Sequence, residues 1–167
     1  LDELLAVADR WKLVLVEDAA EALGTTYKDR HVGSFGKLGT LSFNGNKIVT
    51  TGGGGAILSN DKALGQRAKH LTTTAKVPHR WAFDHDHVGF NYRMPNLNAA
   101  LGCAQLERLP ETIQRKKALS ERYETAFGQV DGVVYRIPPP DRRSHRPDRR
   151  LFRTVPTVPS CVGSFPA

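Results

Sequence analysis

Cysteine is scarce in this sequence: two among 167 residues, Cys103 and Cys161, far apart and in unrelated contexts. That excludes a disulfide framework, and with no CxxC pair it excludes a thiolate metal site. Cys103, inside "AALGCAQLE", reads as a small buried core residue. Long apolar runs are missing too. No stretch of eighteen apolar residues occurs, so no membrane-spanning helix is expected. The opening "LDELLAVADRWK" is amphipathic with early acids and does not read as a signal peptide. A reducing, cytoplasmic setting is the expectation these absences leave. A phosphate-binding P-loop is absent as well, because "GSFGKLGT" sets Gly33 and Gly36 only three apart before Lys37. No internal repeat is visible.

Positive charge is plentiful but local. The net charge is +7, yet Arg136 to Arg153 holds seven arginines and two aspartates, which leaves about +2 for residues 1–135. Seven of the ten prolines lie after Ile137, in the same tail. The tail lacks interleaved aromatics, so nucleic-acid binding through its arginines ranks well below an enzymatic reading. It also lacks a sustained apolar period, and is expected to be disordered or the product of a shifted reading frame.

The rest alternates strand-like and helix-like runs. Leu1, Leu4, Leu5 and Ala8 recur at helical spacing. "LVLVED" (residues 13–18) predicts a strand buried on both faces of a parallel sheet. "GTLSF" and "GAILS" predict two more, and Asn60 is expected to cap a helix over 61–71. Residues 72–89 read as a long loop, followed by helices over 96–109 and 110–127, the second with Pro110 at its first position. "GVVYRI" predicts a last strand. The fold class is α/β, a mostly parallel sheet flanked by helices.

Between two of these strands stands Lys47, followed by four consecutive glycines, Gly52 to Gly55. A lone loop lysine is ordinarily a solvated charge. Held at a strand end in a partly dry pocket, it becomes a usable amine nucleophile toward carbonyls. The aldehyde that proteins most often present to such a lysine is pyridoxal phosphate (PLP). That cofactor also needs a carboxylate for its pyridine nitrogen and donors for its phosphate. Asp18 stands at the carboxyl end of an apolar strand, where ligands of α/β sheets collect, although a helix cap or strand-terminating acid is an equal reading. Glu21 lies about one turn further on, and Ser42 is either a phosphate donor or a small strand residue.

The combination "VEDAAEALGTTY…GTLSFNGNKIVTTGGGGAI…VGFNYRMPNLNAALGCAQLE" resembles the DegT/DnrJ/StrS-type nucleotide-sugar aminotransferases, PLP enzymes of fold type I in the aspartate aminotransferase superfamily. The resemblance covers about residues 1–135, and three motifs in order make it specific. It implies that Lys47 holds the cofactor covalently and relays a proton, that Asp18 pairs with the pyridinium nitrogen, and that Glu21 lies near the cofactor's 3-hydroxyl. It implies that Ser42 binds the phosphate, and that Asn91, with Arg93 beside it, reaches the phosphate in the neighbouring subunit of a homodimer. His79 and Trp81 would border the substrate.

The implied organisation is a partial PLP-binding large domain over 1–109, a linking helix and start of a small domain over 110–137, and the tail over 138–167. The chain thus reads as a fragment. The implied reaction moves the amino group of glutamate to a nucleotide-linked keto sugar, in surface polysaccharide or amino-sugar biosynthesis. Relatives commonly read "GEGG" after the lysine, where this chain has glycine only; that and "TTAKVPHRW" resemble the subgroup acting on UDP-4-keto-6-deoxy-N-acetylhexosamines. A related branch that dehydrates sugars has histidine in place of the lysine, so Lys47 implies transamination. The alternative is an inactive remnant that keeps the fold and dimer surface. His85 and His87 with Asp84 or Asp86 lack a second ligand pair at metal-site spacing, and no metal is expected.

Overall fold

The computed structural model describes residues 1–130 and, beyond them, only the two-residue strands at 133–134, 142–143 and 152–153. In chain order the elements are α1 (Asp2–Arg10), β1 (Val16–Asp18), β2 (Thr26–Tyr27), β3 (Arg30–His31), β4 (Leu38–Ser42) and β5 (Gly55–Leu58). There follow α2 (Lys62–Thr72), α3 (Asn96–Glu107), α4 (Leu109–Phe127), β6 (Val133–Val134), β7 (Arg142–Arg143) and β8 (Phe152–Arg153). The expected nature of the tail lies otherwise outside the described residues. No helix among the described residues is long and apolar enough to cross a membrane.

The sheet that positions the site runs β1-β4-β5. β1 and β4 are parallel, with Asp18 opposite Thr40, whereas β4 and β5 are antiparallel, with Ser42 opposite Gly55. The expected mostly parallel arrangement thus holds for one pair of the two. The chain returns from β4 to β5 through a loop without the crossover helix that a parallel partner requires. "LVLVED" also differs from expectation. Only Val16–Asp18 pairs, and Leu13, Val14 and Val16 are 61%, 73% and 56% exposed. β1 has β4 on one side only.

Local chemistry accounts for most boundaries. α1 places Asp2 and Glu3 in its first turn and Arg10 in its last, each favourable to the helix dipole. α2 is capped by Asp61 rather than Asn60: the Asp61 carboxylate accepts from the Ala63 and Leu64 amides at 2.9 and 3.2 Å. Asn60 instead donates to the Ser34 carbonyl. β2 and β3 form a hairpin the sequence reading does not contain, its two turn residues Lys28 and Asp29 both at positive φ (49° and 60°) as a primed turn demands.

Cys103 is exposed, against expectation. The face that α3 turns inward carries Asn98, Gly102 and Gln105, at i, i+4 and i+7, while Leu97 is 86% exposed. Cys103 lies about 100° around the helix from Gly102, off that face.

Candidate active site

Asp18 and Ser42 end adjacent parallel strands, so both stand at the carboxyl edge of the sheet. Asp18 Oδ1 accepts from the Ala20 amide at 3.1 Å, which starts a series of turns through Ala22 and Thr25. Those turns carry Glu21 to Lys47, and the lysine ammonium donates to the Glu21 carboxylate. The lysine side chain is 13% exposed and that of Glu21 58%, so the amine is shielded and its partner faces water.

The lysine loop is held by its ends and its middle. The Phe43 amide donates to the Gly54 carbonyl and the Thr51 amide to the Phe43 carbonyl, both at 2.9 Å. Val49 and Thr51 are each 1% exposed and anchor the loop. α3 clamps it from outside, because Gln105 accepts from the Thr50 amide at 2.9 Å and Asn98 donates to the Thr51 carbonyl. The glycine run does two things. Gly52 and Gly54 take φ of +78° and +109°, and a Cβ on Gly54 would stand 3.0 Å from Met94 Cε.

Ser42 and Arg93 line one cleft of about 740 Å³ between β4–β5, α2 and residues 92–95. Lys69 and Arg93 are its charged lining residues, and none is acidic, so the cleft suits an anion. Asn91 is exposed, its backbone bridged to Thr73 at the end of α2. His79 and Trp81 are not brought to the lysine. His79 Nδ1 accepts from the Trp81 and Ala82 amides at 3.1 and 2.8 Å, a local turn bond. Trp81 is 73% exposed, with the Arg80 guanidinium 4.7 Å from its ring centroid.

Glu17 is absent from the sequence reading. Its carboxylate accepts from the amides of Gly33, Phe35 and Gly36, each at 2.6 Å, and so fixes the segment leading into β4. An acid one residue before the candidate Asp18 was the available signal.

A shielded lysine, an aspartate and a serine thus lie about the carboxyl edge of an α/β sheet, and of the three only Ser42 lines the cleft. The chain belongs to the DegT/DnrJ/EryC1/StrS aminotransferase family, whose profile matches residues 1–157. It is 44% identical over 135 residues to the pyridoxal phosphate-dependent aminotransferase EpsN of Bacillus subtilis, covering 81% of this chain and 34% of that protein. It is 45% identical over 134 residues to GDP-perosamine synthase of Caulobacter vibrioides, covering 80% of this chain and 36% of the relative. Against a UDP-4-amino-4,6-dideoxy-N-acetyl-beta-L-altrosamine transaminase of Campylobacter jejuni the identity is 35% over 128 residues, covering 76% and 34% of the two chains. Among solved structures, the aminotransferase TlmJ from Streptoalloteichus hindustanus superposes with a TM-score of 0.79 at 31% identity, over 84% of this chain and 38% of that one. The sugar aminotransferase Spr1654 from Streptococcus pneumoniae, solved in PLP and PMP forms, superposes with TM-scores of 0.73 and 0.74 at 28% identity, over 80% of this chain and 36% and 35% of those. The fold is therefore part of a fold type I aminotransferase, and PLP is the cofactor of this family. The chain spans about a third of the length of the curated relatives it matches.

Proposed function

We propose that the protein uses PLP held on Lys47 to transaminate a nucleotide-linked keto sugar, with glutamate as amino donor. The observation that carries this reading is the lysine itself: shielded, paired with Glu21, and placed beyond the strand ends that present Asp18 and Ser42. When bound, PLP supplies an electron sink for deprotonation of the carbon beside the transferred nitrogen. Lys47 holds the cofactor and, once released from it, moves the proton at that carbon. For either task its ammonium must leave the half-exposed Glu21 carboxylate, and Glu21 would be the residue on the side of the cofactor's 3-hydroxyl. Asp18 keeps the pyridine nitrogen protonated through its charge. Ser42 donates to the phosphate. Asn91 is exposed and available to a second copy of the chain, which supports a homodimer whose sites are completed across the interface, with Arg93 at the same anionic place.

For the sugar, we propose a UDP-4-keto-6-deoxy-N-acetylhexosamine. The UDP-linked product named for the Campylobacter relative supports this, and the GDP-linked product of the Caulobacter relative sets the competing substrate. The test is to incubate the purified protein with PLP, glutamate and either keto sugar, measuring 2-oxoglutarate and amino sugar by mass spectrometry. Equimolar products with the UDP sugar, lost in K47A, are expected. Turnover of the GDP-linked sugar alone would overturn the substrate assignment, and equal turnover by K47A would overturn the mechanism.

A further inference from the structure

Three side chains from two parts of the chain, His70 on the helix and the adjacent Asp86 and His87, converge at the end of α2. His70 Nε2, on the helix, lies 2.6 Å from Asp86 Oδ1, and His87 Nδ1 lies 2.9 Å from the same oxygen. One ligand atom from each residue falls within 4.8 Å of the other two. The imidazole planes stand at 84° with centroids 6.2 Å apart, so the rings meet edge to face at the carboxylate rather than stacking. We propose that His70, Asp86 and His87 bind one divalent cation of the zinc class, with water completing the coordination. This inference is independent of the PLP reading.

The donor set and its spacing both suit such an ion. Two imidazoles and a carboxylate are ligands of borderline cations. Metal–ligand bonds of about 2.0–2.1 Å in tetrahedral geometry set ligand atoms roughly 3.3 Å apart. The present 2.6 and 2.9 Å contacts would open by about 0.7 and 0.4 Å to reach that spacing. The ion would replace the protons that the imidazoles now share with Asp86. Side-chain exposure of 27% for His70 and 45% for the other two leaves an entry path.

The backbone holds the three ligands in place without an ion. The Ala75 amide donates to the His70 carbonyl at 2.9 Å, and the Asp86 amide donates to the Ala75 carbonyl at 3.3 Å. Ala75 is fully buried at φ +51°, beside Thr74 at φ +70°. The Phe90 amide closes the far side on the Leu71 carbonyl at 2.7 Å. These bonds fix His70 and the 84–90 segment relative to one another, so little ordering cost remains for a ligand. A bound ion would tie the end of α2 to the segment that leads into Asn91 and Arg93.

The experiment titrates zinc chloride into chelator-treated protein by calorimetry, with circular dichroism confirming the fold of each variant. One saturable equivalent is expected in the unsubstituted chain, with H70Q and H87Q each weakening it at least about tenfold. H85Q is the control, since His85 Nδ1 bonds the Thr74 carbonyl at 2.6 Å instead, and it should leave binding unchanged. Zinc should also raise Tm, and the rise should vanish in H70Q. If H70Q does not fold, D86N and H87Q, both on the exposed segment, carry the same test. Absence of saturable binding in the unsubstituted protein, or binding left intact by the folded ligand variants, overturns the proposal.

Discussion

The contact between Gly102 and Thr51 is where α3 sets the position of the lysine loop, and it can be worked through in numbers. A Cβ on residue 102 would stand 2.8 Å from Thr51 Cγ2, well inside the ~3.5–4.0 Å of a comfortable carbon contact. Thr51 has no room to yield. It is 1% exposed, its hydroxyl donates to the Gly53 carbonyl, and its own carbonyl accepts from Asn98. A β-branched side chain is also stiff at χ1. In G102A, overpacking of about 1–3 kcal/mol opposes a gain in helix propensity of about 1 kcal/mol. A net loss of about 1 kcal/mol is expected. T51S keeps the hydroxyl bond but removes the clashing methyl, at a cost of about 1 kcal/mol. If the two sites were independent, the double variant would lose the sum, about 2 kcal/mol. The structure predicts instead that the methyl gained at position 102 fills the space left by the methyl lost at position 51, so the double variant falls within about 0.5 kcal/mol of the unsubstituted protein. Urea unfolding with constant m-values measures all four corners of the cycle. Additivity within about 0.5 kcal/mol would refute the contact and the account of how α3 places the lysine.

Three other outcomes follow from single side chains. E17Q keeps the shape but loses the charge that three amides share, and should cost about 1.5–3 kcal/mol in urea unfolding; a negligible change would contradict the cradle. The Asp61 carboxyl is held below its usual range, first by the Lys37 ammonium and then by the Leu64 amide. A carboxyl depressed in the folded state stabilises above about pH 4 and stops doing so as pH falls through its lower folded value. Helix content read by circular dichroism should therefore drop in acid below about pH 4, less steeply in D61N, which retains a capping side chain. D18N should lower transamination by about 10²-fold with the fold intact, through lost charge at the pyridine nitrogen; unaltered activity would remove Asp18 from the proposed mechanism.

The elements around the lysine were legible because their signals are local. β4 and β5 are short, largely apolar runs, each with a glycine at or next to its first residue, and α4 begins at Leu109 with Pro110 in its first turn. Asp18, Glu21 and Lys47 stand out by motif, and Glu21 and Lys47 do meet. What was illegible depends on packing. The antiparallel direction of β5 follows from how the loop closes, not from the strand's composition. The apolar residues of α3 suggest a buried face, yet the helix turns Asn98, Gly102 and Gln105 inward, because loop carbonyls and amides there need polar partners. The exposure of Cys103 has the same origin. The hairpin at Lys28–Asp29 carries no glycine, so its turn gave no strong signal. His70 joins Asp86 only through a sixteen-residue separation that no spacing rule covers.

The most direct test of the central claim is to trap the cofactor. The folded chain is mixed with PLP, reduced with borohydride and digested, and the pyridoxyl adduct is mapped by mass spectrometry. The account predicts one adduct per chain, on Lys47, and none in K47A that still folds. Labels scattered over surface lysines such as Lys37 and Lys62, or a folded chain with no label, would contradict it.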